Sequence, residues 1–438
     1  MRRGLHPADR RREDGGLTVP IDGGAPERAV LAGLISGDDD RGSLEELARL
    51  AETAGAVVAG VVVQRRHQPH PATFVGRGKL DDLRARVREA GADLVIFDEE
   101  LSPAQQRNVE RELAVKVLDR TALVLDIFAQ RARTREGRLQ VELAQLTYLL
   151  PRLAGRGVLL SRLGGGIGTR GPGETKLEVD RRRIRSRITG LERAIGALRR
   201  HRQLQRRARH EAALPVVALI GYTNAGKSSL LNCLTTAQVM TADQLFATLD
   251  PTVRRAWLPN HRPVLLVDTV GFIQKLPHDL VAAFRATLEE VVEADLLVHI
   301  IDGSHPRWAE HVAAVEDVLV ELGAAATPRI NAINKIDRIP AEKLRDIEAE
   351  IPDGVPISVL KGVGLLNLLR RISQRLPDPA RRVRLVIPYA EGGVLSQVYA
   401  QGRVLKRDDR DDAMVVDVEV PAPALERLRP YMQEVEYG

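Results

Sequence analysis

Short apolar runs alternate with helically periodic stretches through residues 27–120. The runs Ala29–Ile35, Ala56–Val63 and Leu94–Phe97 predict strands, and Ser43–Ala54 and Lys79–Ala90 predict helices. Ser43 followed by Glu46 gives the first helix a capping-box start. The alternation predicts a small N-terminal α/β domain with a largely parallel sheet. Residues 1–26 mix Arg, Asp, Gly and Pro without a period and read as a disordered tail.

The pattern changes at residue 121. Leu139, Leu143, Leu146, Leu150 and Leu153 keep a 4-3-4-3 spacing. Leu177, Ile184, Ile188, Leu191, Ile195 and Leu198 keep 7-4-3-4-3. Both are coiled-coil seams, and Thr175 with Glu178 caps the start of the second. Residues 121–210 therefore predict an antiparallel helical hairpin. Its tip is the Gly/Arg-rich run Pro151–Thr175.

Strand–helix alternation returns over 214–376, with strands at Val216–Ile220, Val264–Val267, Leu296–Ile301 and Arg329–Ile333. Residues 382–438 hold two short strand patterns and a helix, enough for a small α+β module. Charge adds to this picture. From Arg131 to Arg209 there are 21 Lys+Arg against 6 Asp+Glu, although the whole chain is only +6. So local a basic block points to a polyanion, nucleic acid first. At the tip, Arg152, Arg156, Arg162, Arg170 and Lys176 lie among bare glycine backbone and are the candidate RNA contacts. No apolar run approaches the roughly 18 residues of a membrane span, and no secretory signal is expected. The single cysteine, Cys233, fits a reducing cytoplasm and reads as a small core residue.

The chemistry concentrates in residues 214–376. The run GYTNAGKSS comprises Gly221, Tyr222, Thr223, Asn224, Ala225, Gly226, Lys227, Ser228 and Ser229, between a predicted strand and helix. It fits G-x-x-x-x-G-K-[ST], whose backbone N–H groups cradle phosphates. Lys227 is expected to reach the β- and γ-phosphates and Ser228 to bind magnesium. Asp268, Thr269, Val270 and Gly271 form a D-x-x-G at a strand end. There Asp268 helps hold magnesium and the Gly271 N–H meets the γ-phosphate. Asn334, Lys335 and Asp337 close an N-K-x-D. The Asp337 carboxylate can accept from both guanine N1–H and the 2-amino group, which adenine does not offer. The whole reads as an α/β protein, with a P-loop G domain on a mixed, mostly parallel sheet.

Between phosphate loop and Asp268, the segment FATLDPT supplies Phe246, Ala247, Thr248, Leu249 and Thr252. Thr252 is the candidate magnesium-linked sensor, because it precedes the strand into Asp268. Ser358, Val359 and Leu360 are candidates for the last guanine loop. Lys227, Thr252 and Gly271 form the expected catalytic set. The position after D-x-x-G, where Ras-like proteins carry a water-orienting Gln, is Phe272. Hydrolysis by the isolated chain should be slow. Asn224 is a candidate for holding potassium beside the phosphates. His278 reads as an exposed switch-region residue.

Several runs together resemble the HflX-type GTPases, a bacterial family in the Obg-like branch. They are FVGRGKL from Phe74, ELSPAQQRN from Glu100, the long run from Leu118 to Leu153, and GGGIGTRGPGETKLEVDRRR from Gly164, besides FATLDPT and DTVGFI. The resemblance extends from about Arg28 to about Pro388. It implies binding to the large ribosomal subunit and its rRNA, separation of stalled or idle ribosomes under stress, and hydrolysis accelerated by the ribosome. It implies a cytoplasmic, ribosome-associated monomer with magnesium and GTP or GDP, with peripheral membrane attachment as a further option. Some members are reported to use ATP through the N-terminal domain and to unwind RNA. Here Gly76-Arg77-Gly78-Lys79 lacks the full phosphate motif and reads as a turn before a helix. The alternatives are a large-subunit assembly GTPase and an RNA-binding scaffold regulated by GTP.

Overall fold

The computed structural model describes residues 26–35, 41–66, 68–153, 176–211, 214–235, 245–246, 248–275, 288–351, 353–376, 380–410 and 412–433. The chain packs as two units. One comprises 1–196 with 244–249 and 274–285, and the other comprises 197–243, 250–273 and 286–438.

In the first unit, β1 (Arg28–Ile35), β2 (Val57–Arg65), β3 (Leu94–Phe97) and β4 (Lys116–Asp119) form a parallel sheet in the order β2-β1-β3-β4. β1 and β3 are almost continuously apolar and buried, as parallel strands covered on both faces must be. Val30, Ala32, Val95 and Phe97 pack with Leu80, Leu83 and Val87 of α2 (Arg77–Ala90) and Val109 and Leu113 of α3 (Pro103–Leu113). Alternation turns Ala29, Leu31, Leu94 and Ile96 to the opposite face. α1 (Arg41–Thr53) and α4 (Arg120–Arg131) pack against each other.

Ser43 is not a helix cap. It lies inside α1, where its hydroxyl donates to Asp98 Oδ2 at 2.5 Å and Glu46 pairs with Arg120. The capping box of this unit is Ser102 with Gln105, and it opens α3 behind Pro103. At the GRGK run, the Gly76 amide donates to Gln64 Oε1 and Lys79 pairs with Asp82 along α2.

The first hairpin helix, α5 (Arg135–Leu149), buries Gly137, Gln140, Val141 and Ala144 rather than the leucine seam. Leu139, Leu143, Leu146 and Leu150 stay half-buried. In α6 (Lys176–Glu211) the predicted seam buries Ile184, Leu191 and Ile195. Arg187 holds Glu142 of α5 through two hydrogen bonds, of 2.6 and 2.8 Å. Thr175 lies outside the described residues.

Arg152, expected at the exposed tip as an RNA contact, is buried in the first unit. α5 continues as a 3-10 turn over Leu150–Leu153, which carries this arginine back into the first unit. Its side chain is 7% exposed. It donates to the Tyr148 and Leu101 carbonyls at 3.0 and 2.8 Å, reaches Asp119 Oδ2 at 3.5 Å, and stacks 3.6 Å from the Tyr148 ring centre. Asp119, fully buried at the N-terminus of α4, also accepts from Leu101 N, Ala122 N and the Tyr148 hydroxyl. A buried carboxylate needs such partners, and the nearest cation is drawn in with it. Arg156, Arg162 and Arg170 lie outside the described residues, as does the Lys176 side chain.

The second unit holds a six-stranded sheet of β5 (Val216–Ile220), β6 (Thr252–Trp257), β7 (Pro263–Asp268), β8 (Leu296–Asp302), β9 (Arg329–Asn334) and β10 (Val355–Pro356). The order is β10-β9-β8-β5-β7-β6, parallel except for the edge strand β6. One face packs on Leu230 and Leu231 of α7 (Lys227–Leu234) and Leu368 and Ile372 of α10 (Leu365–Arg375). Ile301 and Ile333 pack instead with Ile347 of α9 (Ala341–Glu350), with Trp308 and Val312 of α8 (Trp308–Leu322) beside them. Cys233 corrects its reading as a core residue. It is exposed, because α7 turns Leu230, Leu231 and Leu234 inward.

Polar Asn331 within β9 has a structural cause. It stands opposite His299 of β8, so the two polar side chains share one face of the sheet. His299 is 1% exposed, and burial, helped by Arg329 and Lys227, pushes its imidazole down to about 3. A polar neighbour suits a neutral buried ring better than an apolar one.

Beyond α10, β11 (Ala380–Pro388), β12 (Arg403–Asp409), β13 (Ala413–Pro421) and β14 (Met432–Gln433) form an antiparallel sheet in the order β12-β13-β11-β14. α11 (Gly392–Gln401) and α12 (Ala422–Leu428) complete a βαββαβ module with its own apolar core. Among the described residues no helix is long and apolar enough to cross a membrane.

Candidate nucleotide site

The six-stranded sheet grows outward in both directions from β5. Open α/β sheets bind ligands above the carboxyl ends of strands at such a reversal. The chain leaving β5 there is Gly221, with φ 145°. A Cβ at Gly221 would collide with the Ile300 carbonyl oxygen, and one at Gly226 (φ 106°) with Asn334 Nδ2. Asn224 also takes positive φ, 62°, a conformation Asn tolerates better than most residues. The chain then enters α7 at once, leaving the first amides of that helix at the loop. Ser229 follows, half-buried on α7.

Lys227 is 6% exposed and folds back over this loop, donating to the Gly221 and Tyr222 carbonyls at 3.0 and 2.8 Å. Ser228 Oγ donates to Asp268 Oδ2 at 2.6 Å. Asp268 ends β7, fully buried, with Leu219 beside it in β5 and Thr252 directly opposite in β6. Directly opposed residues project to the same face, so Thr252 and Asp268 share one side of the sheet. Thr269 Oγ1 ties the next turn to the Leu219 carbonyl at 2.7 Å. Val270 is buried, and a Cβ at Gly271 would lie 2.7 Å from Thr223 Cγ2 and 3.1 Å from Lys227 Nζ. Only glycine fits between the two loops.

Phe272 is 1% exposed. Its amide donates to the Gly221 carbonyl at 3.2 Å, and its carbonyl accepts from Thr223 N at 2.8 Å. It thus pins the D-x-x-G turn to the phosphate loop through its backbone, with its ring in the core. Tyr222 stacks on His311 at 3.7 Å, and His305 tilts over the same ring. No sequence signal marked either histidine.

The N-K-x-D loop braces the cradle from the other side. Asn334 Nδ2 donates to the Ala225 carbonyl at 2.8 Å, and Oδ1 accepts from Val359 N at 3.2 Å. One buried side chain therefore links the phosphate loop to the Ser358 loop. Lys335, at φ 64°, is held by Asp302 Oδ2 at 2.7 Å, while Asp302 Oδ1 accepts from Ser304. Sequence reasoning missed Asp302 and Ser304, although Asp302 ends β8 one strand over. Asp337 is exposed, and the buried Ser358 hydroxyl donates to its Oδ1. That hydrogen bond holds its carboxyl below the usual carboxylate range. Lys361 N donates in turn to Ser358 Oγ, and Leu360 is exposed.

Of the FATLDPT segment, Phe246 and Leu249 are buried and Thr248 half-buried, while Ala247 lies outside the described residues. Phe246 packs within the first unit, edge-on to Phe128. His278 also lies outside the described residues.

Burial holds the Lys227 ammonium down to about 8, although Asp268 pulls it up. Phosphate oxygens would restore its charge, so binding takes up a proton above that pH. Affinity for GDP is expected to fall roughly tenfold from pH 7 to pH 9. The unfolded lysine binds more protons over about pH 8 to 10.4, so the empty chain gains stability across that window. Titration with fluorescent GDP at each pH checks the first sign and urea unfolding the second. A flat affinity profile would refute the account.

Residues 41–129 match the family described as GTP-binding GTPase N-terminal, and 131–209 match GTP-binding GTPase Middle Region. Residues 216–335 match 50S ribosome-binding GTPase. The GTPase HflX of Caldanaerobacter subterraneus subsp. tengcongensis is 50% identical over 409 residues, 93% of this chain and 94% of that one. The GTPase HflX of Escherichia coli K12 is 44% identical over 418 residues, 94% of this chain and 97% of that one. A solved GTP-binding protein from Sulfolobus solfataricus in complex with GDP is 27% identical, covering 80% of this chain and 98% of that one, with a TM-score of 0.41. Matched along nearly its whole length and carrying the phosphate loop, D-x-x-G and N-K-x-D at the carboxyl ends of strands in one sheet, the chain belongs to the HflX family of GTPases and hydrolyses GTP.

Proposed function

We propose that this chain is a guanine-nucleotide switch that binds the large ribosomal subunit and separates ribosomes, and that the ribosome stimulates its hydrolysis. The observation that carries the reading is Phe272. The position that would orient water holds an apolar ring in the core. A backbone group, an ion or a partner must then place the water, and a family described as ribosome-binding favours the ribosome as that partner.

Within the site, Gly221–Ser229 takes the phosphates, with Lys227 against the β- and γ-oxygens. Ser228, Thr252 and Asp268 supply hard oxygen donors that suit magnesium, and their clustering at the strand ends fits that ion. Magnesium there would offset charge on the phosphate oxygens. Gly271 offers its N–H to the γ-phosphate. Thr269 and Val270 carry the turn that brings Gly271 to the phosphate loop. Asn334, Lys335 and Asp337 take the guanine, with backbone N–H groups of Ser358, Val359 and Leu360. Asn224, exposed within the loop, is the candidate for potassium. Arg156, Arg162, Arg170 and Lys176 are the candidate rRNA contacts. The protein would work in the cytoplasm on the ribosome.

The test mixes the purified protein with intact ribosomes and a non-hydrolysable GTP analogue on a sucrose gradient. Free subunits, with the protein on the large one, are expected. Intact ribosomes, with the protein found only on immature large particles, would favour an assembly role instead.

A further inference from the structure

The hairpin of β6 and β7 carries a surface that the nucleotide site does not use. β6 forms one edge of the six-stranded sheet, and among the described residues no strand pairs with its outer side. Ala256 and Leu258 turn inward and pack with Val264 and Leu266. Alternation puts Arg255 and Trp257 on the opposite face, with Arg255 across from Leu265 and Trp257 across from Pro263. The tip is closed by its own backbone. Leu258 N donates to the Arg262 carbonyl and His261 N to the Leu258 carbonyl, both at 2.9 Å.

Trp257 is 58% exposed. Tryptophan is mostly buried in folded proteins and enriched where a partner covers it. The Arg255 guanidinium lies over this ring, 4.7 Å from its centre. Arg254 and His261 are exposed as well, and Arg262 is half-buried. From Pro251 to Val267 the chain has no Asp or Glu. Among the described residues neither Arg254 nor Arg255 pairs with a carboxylate; Arg254 donates only to the Val253 carbonyl, at 2.9 Å.

Charge on an edge strand discourages pairing with another strand, which accounts for Arg254. It does not account for an open tryptophan two residues from Arg255. A nucleic-acid base fits both. Every base has a π face that stacks on an aromatic ring, and arginine adds a cation–π contact and takes phosphate oxygens. Such stacking needs an unpaired base, as in RNA loops and ends. The hairpin lies within residues 216–335, which match a family described as 50S ribosome-binding GTPase, so RNA is the expected form.

We propose that the β6–β7 hairpin binds an unpaired RNA segment, with one base stacked on Trp257 beside Arg255 and the flanking phosphates on Arg254 and Arg262. It touches a base face and no base edge, so it tolerates any sequence. The inference deepens the ribosomal reading by naming an RNA contact, and rests on it only for the choice of RNA.

The chain has two tryptophans, Trp257 and Trp308. Trp308 is half-buried beside the Ile301–Ile333 cluster, so Trp308→Phe is a mild change that leaves Trp257 as the sole emitter. In that full-length variant with GDP, a short oligouridylate is expected to quench the emission saturably. Adding Arg255→Ala should weaken the apparent affinity roughly fivefold or more. Irradiation with a 5-iodouridine oligonucleotide should crosslink Trp257, and Trp257→Phe should keep most of that yield. Absence of quenching, equal quenching by poly-glutamate, tighter binding of the deoxy counterpart, or crosslinks confined to residues 131–209 would each overturn the proposal. A protein that leaves ribosomes joined but shows these responses loses only the ribosomal reading.

Discussion

Asp337→Asn is expected to weaken GDP and GTP binding by two to three orders of magnitude, on the order of 3–4 kcal/mol. The direction follows from Ser358. Its hydroxyl donates to Asp337 Oδ1 and would keep the asparagine oxygen in that place. The new NH2 then points where the second carboxylate oxygen pointed. Guanine offers N–H donors there, so donor faces donor. Xanthine offers N1–H beside a carbonyl oxygen, so the variant should bind XDP better than GDP. Titration of both nucleotides measures this directly. Unchanged GDP affinity would show that Asp337 does not face the base.

Arg152→Ala is expected to destabilise the first unit by about 3 kcal/mol, because Asp119 stays buried without its cation. Urea unfolding would show it as a lower midpoint. If Arg152 instead served RNA from an exposed tip, the midpoint would hold and only rRNA affinity would fall. A midpoint within experimental error of the parent would therefore discard the burial account.

That contrast shows what the sequence carried and what it did not. Motif residues were legible because their chemistry is local. Gly221 and Gly226 take positive φ in one short loop, although the atoms they and Gly271 approach lie far along the chain, and strand-then-motif order put all three at the carboxyl ends of strands. Asn334 shows the next level, since its bonds to Ala225 and Val359 join segments distant in sequence. Asp302 and the stacked His311 carry no motif, and only the fold sets them beside Lys335 and Tyr222. Strands β1 and β3 could be read from their apolar runs, whereas β4 and α3 were overlooked despite Ser102-Pro103 and Gln105. The placements of Arg152 and Ser43 differ from expectation for one reason. Each sits in a local pattern that names a role, but a buried carboxylate elsewhere claims the side chain.

Cys233 has a practical consequence. It is the chain's only thiol, it is exposed, and it stands six residues along α7 from Lys227, about 9 Å on the helix axis. A maleimide dye would therefore attach at one defined place on the helix that begins at the phosphate loop. Nucleotide exchange could be followed in real time in the natural sequence, with no cysteine removed and none added.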